Sequence, residues 1–428
     1  MRRLLELARR RPIGAAFMAA LALRALVALL PLSPAWDGAV YERAAASLAS
    51  GHGYTQRSLR PGAPLLPTAF YPVGWPAVLA VPRALGAGSR FDLGLQALLG
   101  ALAVPLAARI GRRVGGSRAA RLTAWPVALW PGGVLAGASW MGEPLFTFAI
   151  LMATLPLAHA RRRLFLRVVF SGALFGLAAY VRPTALVIAP LLAFVVALGP
   201  ARPRLGRALA AATLMFAIST APSIPWALRN QERLGALALS SNGGANLLIG
   251  TLSGRFTPLD PSADCPPGTR ELVRDRCRRE RALERIARDP ARWIGLGALK
   301  LGHTFGYETA PALQLGVSLG VGERAPPVLA LAALCTLAYW VVTGLALLGA
   351  RRLSRRALGL TFAPAAGVAL LHFVFLGGDR YHLPVVPFLA VVAASMTARG
   401  IAHRRARRLS SLAAAPRDRR PRPRAWSA

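Results

Sequence analysis

The chain has 428 residues, of which 54% are hydrophobic and only 16% charged, and its mean hydropathy is +0.44. That composition excludes an ordinary soluble domain. The net charge of +36 is what nucleic-acid binders carry. Here, however, the basic residues fall in short clusters between apolar runs of about twenty residues, the pattern of cytoplasmic loops in a polytopic membrane protein, which argues against a nucleic-acid partner.

In chain order, the runs that read as spanning are 13–31, 93–110, 121–138, 143–160, 165–181, 184–199, 207–226, 326–349, 357–376 and 382–398. The sequence therefore predicts an all-α integral membrane protein of about ten transmembrane helices. The first run follows a basic start, as in a signal peptide. No small-residue cleavage site follows Pro31, so it is read as the first span. Residues 72–85 are apolar but short and hold Pro72, Pro76 and Pro82, so they read as a juxtamembrane or re-entrant helix. The stretch 291–308 reads as an interfacial helix and 270–292 as a polar surface helix. One membrane domain, 1–402, is followed by a basic tail, 403–428, expected to be disordered against an anionic inner leaflet.

Charge sets the expected orientation. The clusters Arg2–Arg11, Arg109–Arg121, Arg161–Arg167, Arg202–Arg207 and Arg351–Arg356, and the tail from Arg399, hold most of the basic residues but only two acids, Glu6 and Asp418. With these inside, both termini are cytoplasmic, and two large loops, 32–92 and 227–325, lie on the outer face.

The candidate chemistry then gathers outside. Asp37 follows the first span behind Trp36 and reads either as a general base or as a helix cap. Glu143 precedes Pro144 at the outer start of the fourth span; it reads either as a second acid or as a carboxylate suited to a helix N-terminus. Arg182, Arg229 and Arg380 stand at outer helix ends, Arg229 beside Asn230 and Arg380 beside Tyr381. Each guanidinium suits a lipid phosphate or simply snorkels at the interface. Arg24 lies inside the first span and must face protein or water. The stretch SSNGGANLLIGT, 240–251, which includes Asn242 and Asn246, offers amides to a sugar or phosphate but reads equally as a turn. Cys265 and Cys277 share an outer loop, where either a disulfide or two free thiols is open. Cys335 reads as a packing residue, and no zinc, P-loop or Ser-His-Asp motif stands out.

The order of these pieces resembles the GT-C membrane glycosyltransferases, in the bacterial branch related to protein O-mannosyltransferases and lipid A aminoarabinose transferases (glycosyltransferase family 39-like). The matching stretches are Asp37 with YERAAASLASGHGY, PTAFYPVGWPAVLA, WMGEPLFTF, VRPTAL, PWALRNQERLG, SSNGGANLLIGT and DRYHLPVVPFLAVVAA, spread over about residues 10–400. The resemblance implies inverting transfer of a sugar from a polyprenyl-phosphate donor to a lipid, glycan or protein acceptor at the outer face of a plasma (inner) membrane. It implies Asp37 as the base, Glu143 as a second acid orienting acceptor or metal, and Arg182, Arg229, Arg380 and Tyr381 around the donor phosphate. Asn230, Asn242 and Asn246 are then substrate contacts. Such enzymes vary in their need for a divalent metal, and the sequence offers no convincing cage for one. The family's C-terminal soluble domain has no counterpart here, which leaves the acceptor open. A secondary transporter or lipid-linked-saccharide flippase is the competing class, and a non-catalytic polysaccharide-assembly protein a third.

Overall fold

A computed structural model describes residues 10–57, 64–159, 163–198, 204–260, 264–266 and 270–398; the expected C-terminal tail and the opening basic run 1–9 lie outside the described residues. The protein is a helical membrane protein. Its helices are α1 Pro12–Ala28, α2 Asp37–Ala49, α3 Gly74–Ala84, α4 Ser89–Leu129, α5 Pro131–Ala136, α6 Glu143–Ala158, α7 Leu164–Ala179, α8 Ala185–Leu198 and α9 Leu205–Thr220. There follow α10 Ile224–Leu234, α11 Gly243–Leu252, α12 Glu271–Arg288, α13 Pro290–Phe305, α14 Ala310–Ser318, α15 Pro326–Ala350 and α16 Arg355–Val374. The last, α17, covers Asp379–Ala398 and opens with a 3-10 turn, Asp379–Val385. A two-stranded antiparallel hairpin, β1 Thr55–Arg57 and β2 Leu65–Pro67, lies between α2 and α3.

Each of the ten apolar runs coincides with helix. Five helical stretches among the described residues are long and apolar enough to cross a membrane: Ser89–Leu129, Leu205–Leu234, Pro326–Ala350, Arg355–Val374 and Asp379–Ala398. The other runs form apolar helices of 14 to 17 residues. Helix α15 shows the lipid solution to an all-round apolar surface: Leu334, Leu337, Trp340, Val341 and Leu348 are exposed, where water would penalise them.

Three details differ from the sequence reading. The expected loop between 110 and 121 is helical. Its reversal occurs at Gly116, whose φ of 82° suits a residue without Cβ. A Cβ on Gly111 would touch Thr123 at 2.7 Å. In a straight helix residues twelve apart stand ~18 Å from each other, so α4 is a hairpin of two helices. The expected span 121–138 breaks at Trp130 and continues as α5. The expected end of a span at Arg229 is also displaced. The helix runs through a short 3-10 turn, Ala221–Ser223, into α10 and stops at Gly235 (φ 86°), so Arg229 and Asn230 lie inside a helix.

The apolar core joins α1, α4, α6, α7, α8, α9 and α17 into one body. At one end of it, α3 takes the short helical form expected for 72–85 and acts as a bracket. Gly74 lies so close to the end of α7 that a Cβ would strike the Tyr180 carbonyl at 2.6 Å, and its N–H donates to that carbonyl at 2.8 Å. The neighbouring Trp75 indole donates to the Trp140 carbonyl at 2.9 Å. This one helix thereby fixes the approaches to both Arg182 and Glu143.

Candidate functional site

Four charged side chains meet at the bracketed end of the helical body. Asp37 is the first residue of α2. The residue in the N-cap position is Trp36, in a positive-φ conformation (51°) that bulky residues rarely adopt. Asp37 stands one position inside the helix and not at the cap, an acid in its first turn. Its carboxylate instead accepts from the Tyr71 hydroxyl at 2.9 Å and pairs with Arg380 at 2.7 Å. Burial pushes the Asp37 carboxyl up, but the Arg380 guanidinium, with Tyr71 and the more distant Arg182, outweighs burial and holds it below the ordinary carboxylate range. Any stability this pair contributes is therefore complete above the ordinary carboxylate value and is lost only as pH falls through the lowered one.

Glu143 opens α6 with Pro144 behind it. It is buried, and one oxygen is bonded to the Arg182 guanidinium. Two acid–arginine pairs thus stand side by side. Arg380 and Arg182 both lie over the Tyr381 ring, at 5.2 and 5.5 Å from its centroid. Tyr381 in turn stacks on His372 at 4.1 Å. Two neighbours of Arg380 anchor the turn that carries it. Asp379 accepts from the amides of Thr309 and Ala310 at the start of α14. His382 donates from Nδ1 to the Thr304 carbonyl and meets Glu308 at 3.1 Å. With Asp379 and His382 tied down, Arg380 and Tyr381 are presented to the opposite side.

A cavity of about 270 Å³ opens there. Asp37, Arg182, Arg380, Tyr381, Asn242 and Asn246 all line it. Glu143 stands behind Arg182 and does not line it. Within the stretch 240–251, read as a source of amides for a sugar or phosphate or as a turn, the backbone amides of Gly244 and Ala245 are taken by the buried Asp275 carboxylate at 2.7 and 3.2 Å. What the start of α11 offers the cavity is therefore the residues Asn242 and Asn246 and not those amides.

Arg229 and Asn230 lie elsewhere. Arg229 donates to the carbonyls of Thr68 and Tyr54 at 2.9 and 2.8 Å and to Asn230 Oδ1 at 2.9 Å, with Trp226 under the guanidinium. Asn230 is buried and donates to the Ala238 carbonyl. Neither lines the cavity. The structure places both, expected beside donor and substrate, away from the cavity: α10 continues past them and turns them onto the segments that carry Tyr54, Thr68 and Ala238. Cys265 and Cys277 form a disulfide, with Cα atoms 6.3 Å apart, tying the loop to α12. Beside it Asp264 is gripped by Arg278 and Arg274, which hold its carboxyl well below the ordinary range. No group of three His, Cys, Asp or Glu that could hold a metal occurs among the described residues. Asp37 and Glu143 each turn to an arginine, and hard divalent cations prefer more oxygens than two such acids supply.

The sequence reading missed Tyr71, Tyr41 and His372, all of which line the cavity. The run AFYPVGW held a hint of Tyr71, an aromatic beside a Pro-rich bracket. His372 gives no signal in its own stretch, since its partner Tyr381 belongs to the next helix.

No protein-family model matches the sequence, and no curated protein does. Among solved structures the chain is similar to the oligosaccharyltransferase AglB of Archaeoglobus fulgidus in complex with an inhibitory peptide and a dolichol-phosphate. The identity is 14% over 94% of this chain and 52% of that one, with a TM-score of 0.47. It is also similar to ArnT from Cupriavidus metallidurans bound to undecaprenyl phosphate, at 14% identity over 96% of this chain and 82% of that one, TM-score 0.43. The apo state of that protein gives 16% identity, 90% and 77% coverage and a TM-score of 0.41. The chain spans about half the length of the archaeal enzyme. Likeness at this level specifies no side chain of the site, whose chemistry rests on the residues themselves.

Proposed function

We propose that this protein transfers a sugar from a polyprenyl-phosphate donor to an acceptor hydroxyl, with inversion, in the cavity walled by Asp37, Arg182 and Arg380. The observation that carries the reading is the paired arrangement: two acids and two arginines, neutral in sum, at one end of a membrane-embedded body beside an open cavity. The order of sequence motifs shared with GT-C enzymes points the same way. The charge asymmetry of the loops supports placing this end on the outer face of a plasma membrane.

The chemistry follows from the pairing. A donor phosphate entering the cavity competes with Asp37 for Arg380, because a guanidinium binds phosphate oxygens as well as carboxylate. Losing that partner raises the basicity of Asp37 at the moment the donor is seated. Asp37 then takes the proton of the acceptor hydroxyl, the acceptor oxygen bonds to the anomeric carbon, and the bond from that carbon to the phosphate oxygen breaks. The lipid phosphate leaves with the electron pair and is held by Arg380 and Arg182. Positioned proton transfer of this kind contributes ~10²–10⁴-fold. Asn242 and Asn246 face the same space and suit sugar hydroxyls. No step here depends on a divalent metal.

Purified protein in lipid nanodiscs, given a polyprenyl phosphate carrying a radiolabelled sugar and a mixture of membrane-lipid and glycan acceptors, should move the label to an acceptor. Movement of intact donor between leaflets of a proteoliposome without cleavage would replace this reading with a flippase.

A further inference from the structure

Arg24 stands in the middle of α1 and is 2% exposed. Its Nη1 donates to the carbonyls of Ala20 and Ala128 at 3.1 and 3.2 Å, while its Nε–H is buried and makes no hydrogen bond among the described residues. Glu143 shows the complementary state. One oxygen is bonded to Arg182, and the other, Oε2, is buried with no partner among the described residues. Buried unpaired polar atoms are rare because each costs its full desolvation. Other buried side-chain atoms share that state, Gln96 and Asp92 among them; what sets this donor and this acceptor apart is the cavity between their residues.

They are not apart. Arg24 and Glu143 line the same small cavity, together with Trp130 and Thr147, and its volume is about 20 Å³. A cavity needs roughly 10–15 Å³ to hold one water, and the water needs two or more polar partners. The Thr147 hydroxyl, which donates to the Glu143 carbonyl at 2.8 Å, keeps its lone pairs as a third partner. The wall beside Arg24 is bare at Gly100, where a Cβ would come within 2.7 Å of Arg24 Nε and occupy the space next to it.

We propose that a buried water accepts from Arg24 Nε–H and donates to Glu143 Oε2, and that Arg24 is thereby a positioning residue for the cavity. The chain of contacts runs from Arg24 through the water to Glu143, then to Arg182 and the cavity wall. The water-mediated contact holds the Glu143 carboxylate in place, and Glu143 keeps the Arg182 guanidinium turned toward the cavity. The bridge itself stands on the geometry alone. Its effect on ligand binding rests on the function proposed above.

The test is a double-mutant cycle on the full-length protein in nanodiscs, using Arg24→Met, Glu143→Gln and the pair, with thermal unfolding as one readout. Groups in one hydrogen-bond network lose stability non-additively, so the double variant should unfold several degrees above the sum of the single losses. Additive losses overturn the bridge. If Arg24→Met does not fold, Gly100→Ala, whose Cβ would come within 2.7 Å of Arg24 Nε and fill the space beside it, takes its place in the cycle. The second readout is binding of undecaprenyl phosphate: Arg24→Met should raise Kd by about tenfold, the loss of one charge-assisted contact, and Arg24→Lys should recover most of it. A purely structural Arg24 would move the melting temperature and leave Kd alone, which overturns the positioning role. Non-additive melting with no binding even by the wild-type protein retains the bridge and removes the proposed function. Additive melting with normal wild-type binding does the reverse.

Discussion

Two groups of buried or half-buried cations differ in what they hold. Arg380 and Arg182 hold carboxylates, Asp37 and Glu143, and face a cavity. Arg229 and Lys300 hold backbone carbonyls: Arg229 those of Thr68 and Tyr54, Lys300 those of Phe373 and Val374 at the end of α16. A carbonyl-bound cation closes a structural junction and has no charge partner to exchange. A carboxylate-paired cation is already neutralised and can trade its carboxylate for another anion without changing the charge count. Partner chemistry, and not position at a helix end, separates the arginines proposed to bind the donor from the structural ones.

The largest effect expected from this division is on catalysis at Asp37. Asp37→Asn keeps the size of the side chain and a hydrogen bond for Tyr71, but an amide cannot take a proton. Sugar transfer should fall ~10²–10⁴-fold in a protein that melts within a few degrees of wild type. Glu42 supplies the comparison. It pairs with Arg83 at 2.7 Å, but Arg83 also holds Asp92 and the Glu42 carbonyl, so Glu42→Gln should retain transfer. Retained transfer in Asp37→Asn would move the base elsewhere.

Arg182 sharpens the comparison next, because its partner is more deeply buried. Arg182→Met strands Glu143 and should cost about 3–5 kcal/mol of stability, the usual penalty for breaking a buried pair from one side. Adding Glu143→Gln should restore most of the stability but not the affinity for a lipid phosphate. Chemical denaturation and lipid binding on the same preparations read the two effects separately. Recovery of both together would make the pair structural.

For the carbonyl-bound class the effects run the other way. Arg229→Met leaves two buried carbonyls short of a donor, at about 1–3 kcal/mol, and should lower the melting temperature with no change in lipid-phosphate affinity. Lys300 gives the smallest effect and a pH signature. Burial lowers its ammonium to about 8, against an ordinary lysine value of about 10.4. Between those values the folded chain has released the proton while the unfolded chain keeps it, so stability rises as pH rises through that window. Lys300→Met should lack this rise. A flat profile in the wild-type protein would show the ammonium to be better solvated than its carbonyl partners imply.

This division was only partly legible in the amino-acid order. The apolar runs and the one-sided clustering of arginines reveal the helical membrane architecture, because the bilayer imposes length and the positive-inside bias imposes side. The hairpin at Gly116 looked like a loop, since a single glycine at positive φ does the work of several residues. Asp37, Arg182 and Arg380 stood out as charges on the acid-bearing side, yet nothing local told Arg380 from Arg229. Asp37 and Arg380 are brought together only by the meeting of α2 with the turn of α17, and the carbonyls that engage Arg229 belong to the hairpin region, far away in sequence. His372, Tyr71 and the orphaned oxygen of Glu143 were invisible for the same reason: their meaning lies in partners far along the chain.

The most direct measurement is the affinity of undecaprenyl phosphate for two variants compared side by side in nanodiscs, Arg380→Gln and Arg229→Met. Loss of a charged hydrogen bond worth about 1.5–3 kcal/mol predicts binding weakened roughly ten- to hundredfold in Arg380→Gln, with wild-type affinity in Arg229→Met. Equal weakening in both, or wild-type affinity in Arg380→Gln, would contradict the account.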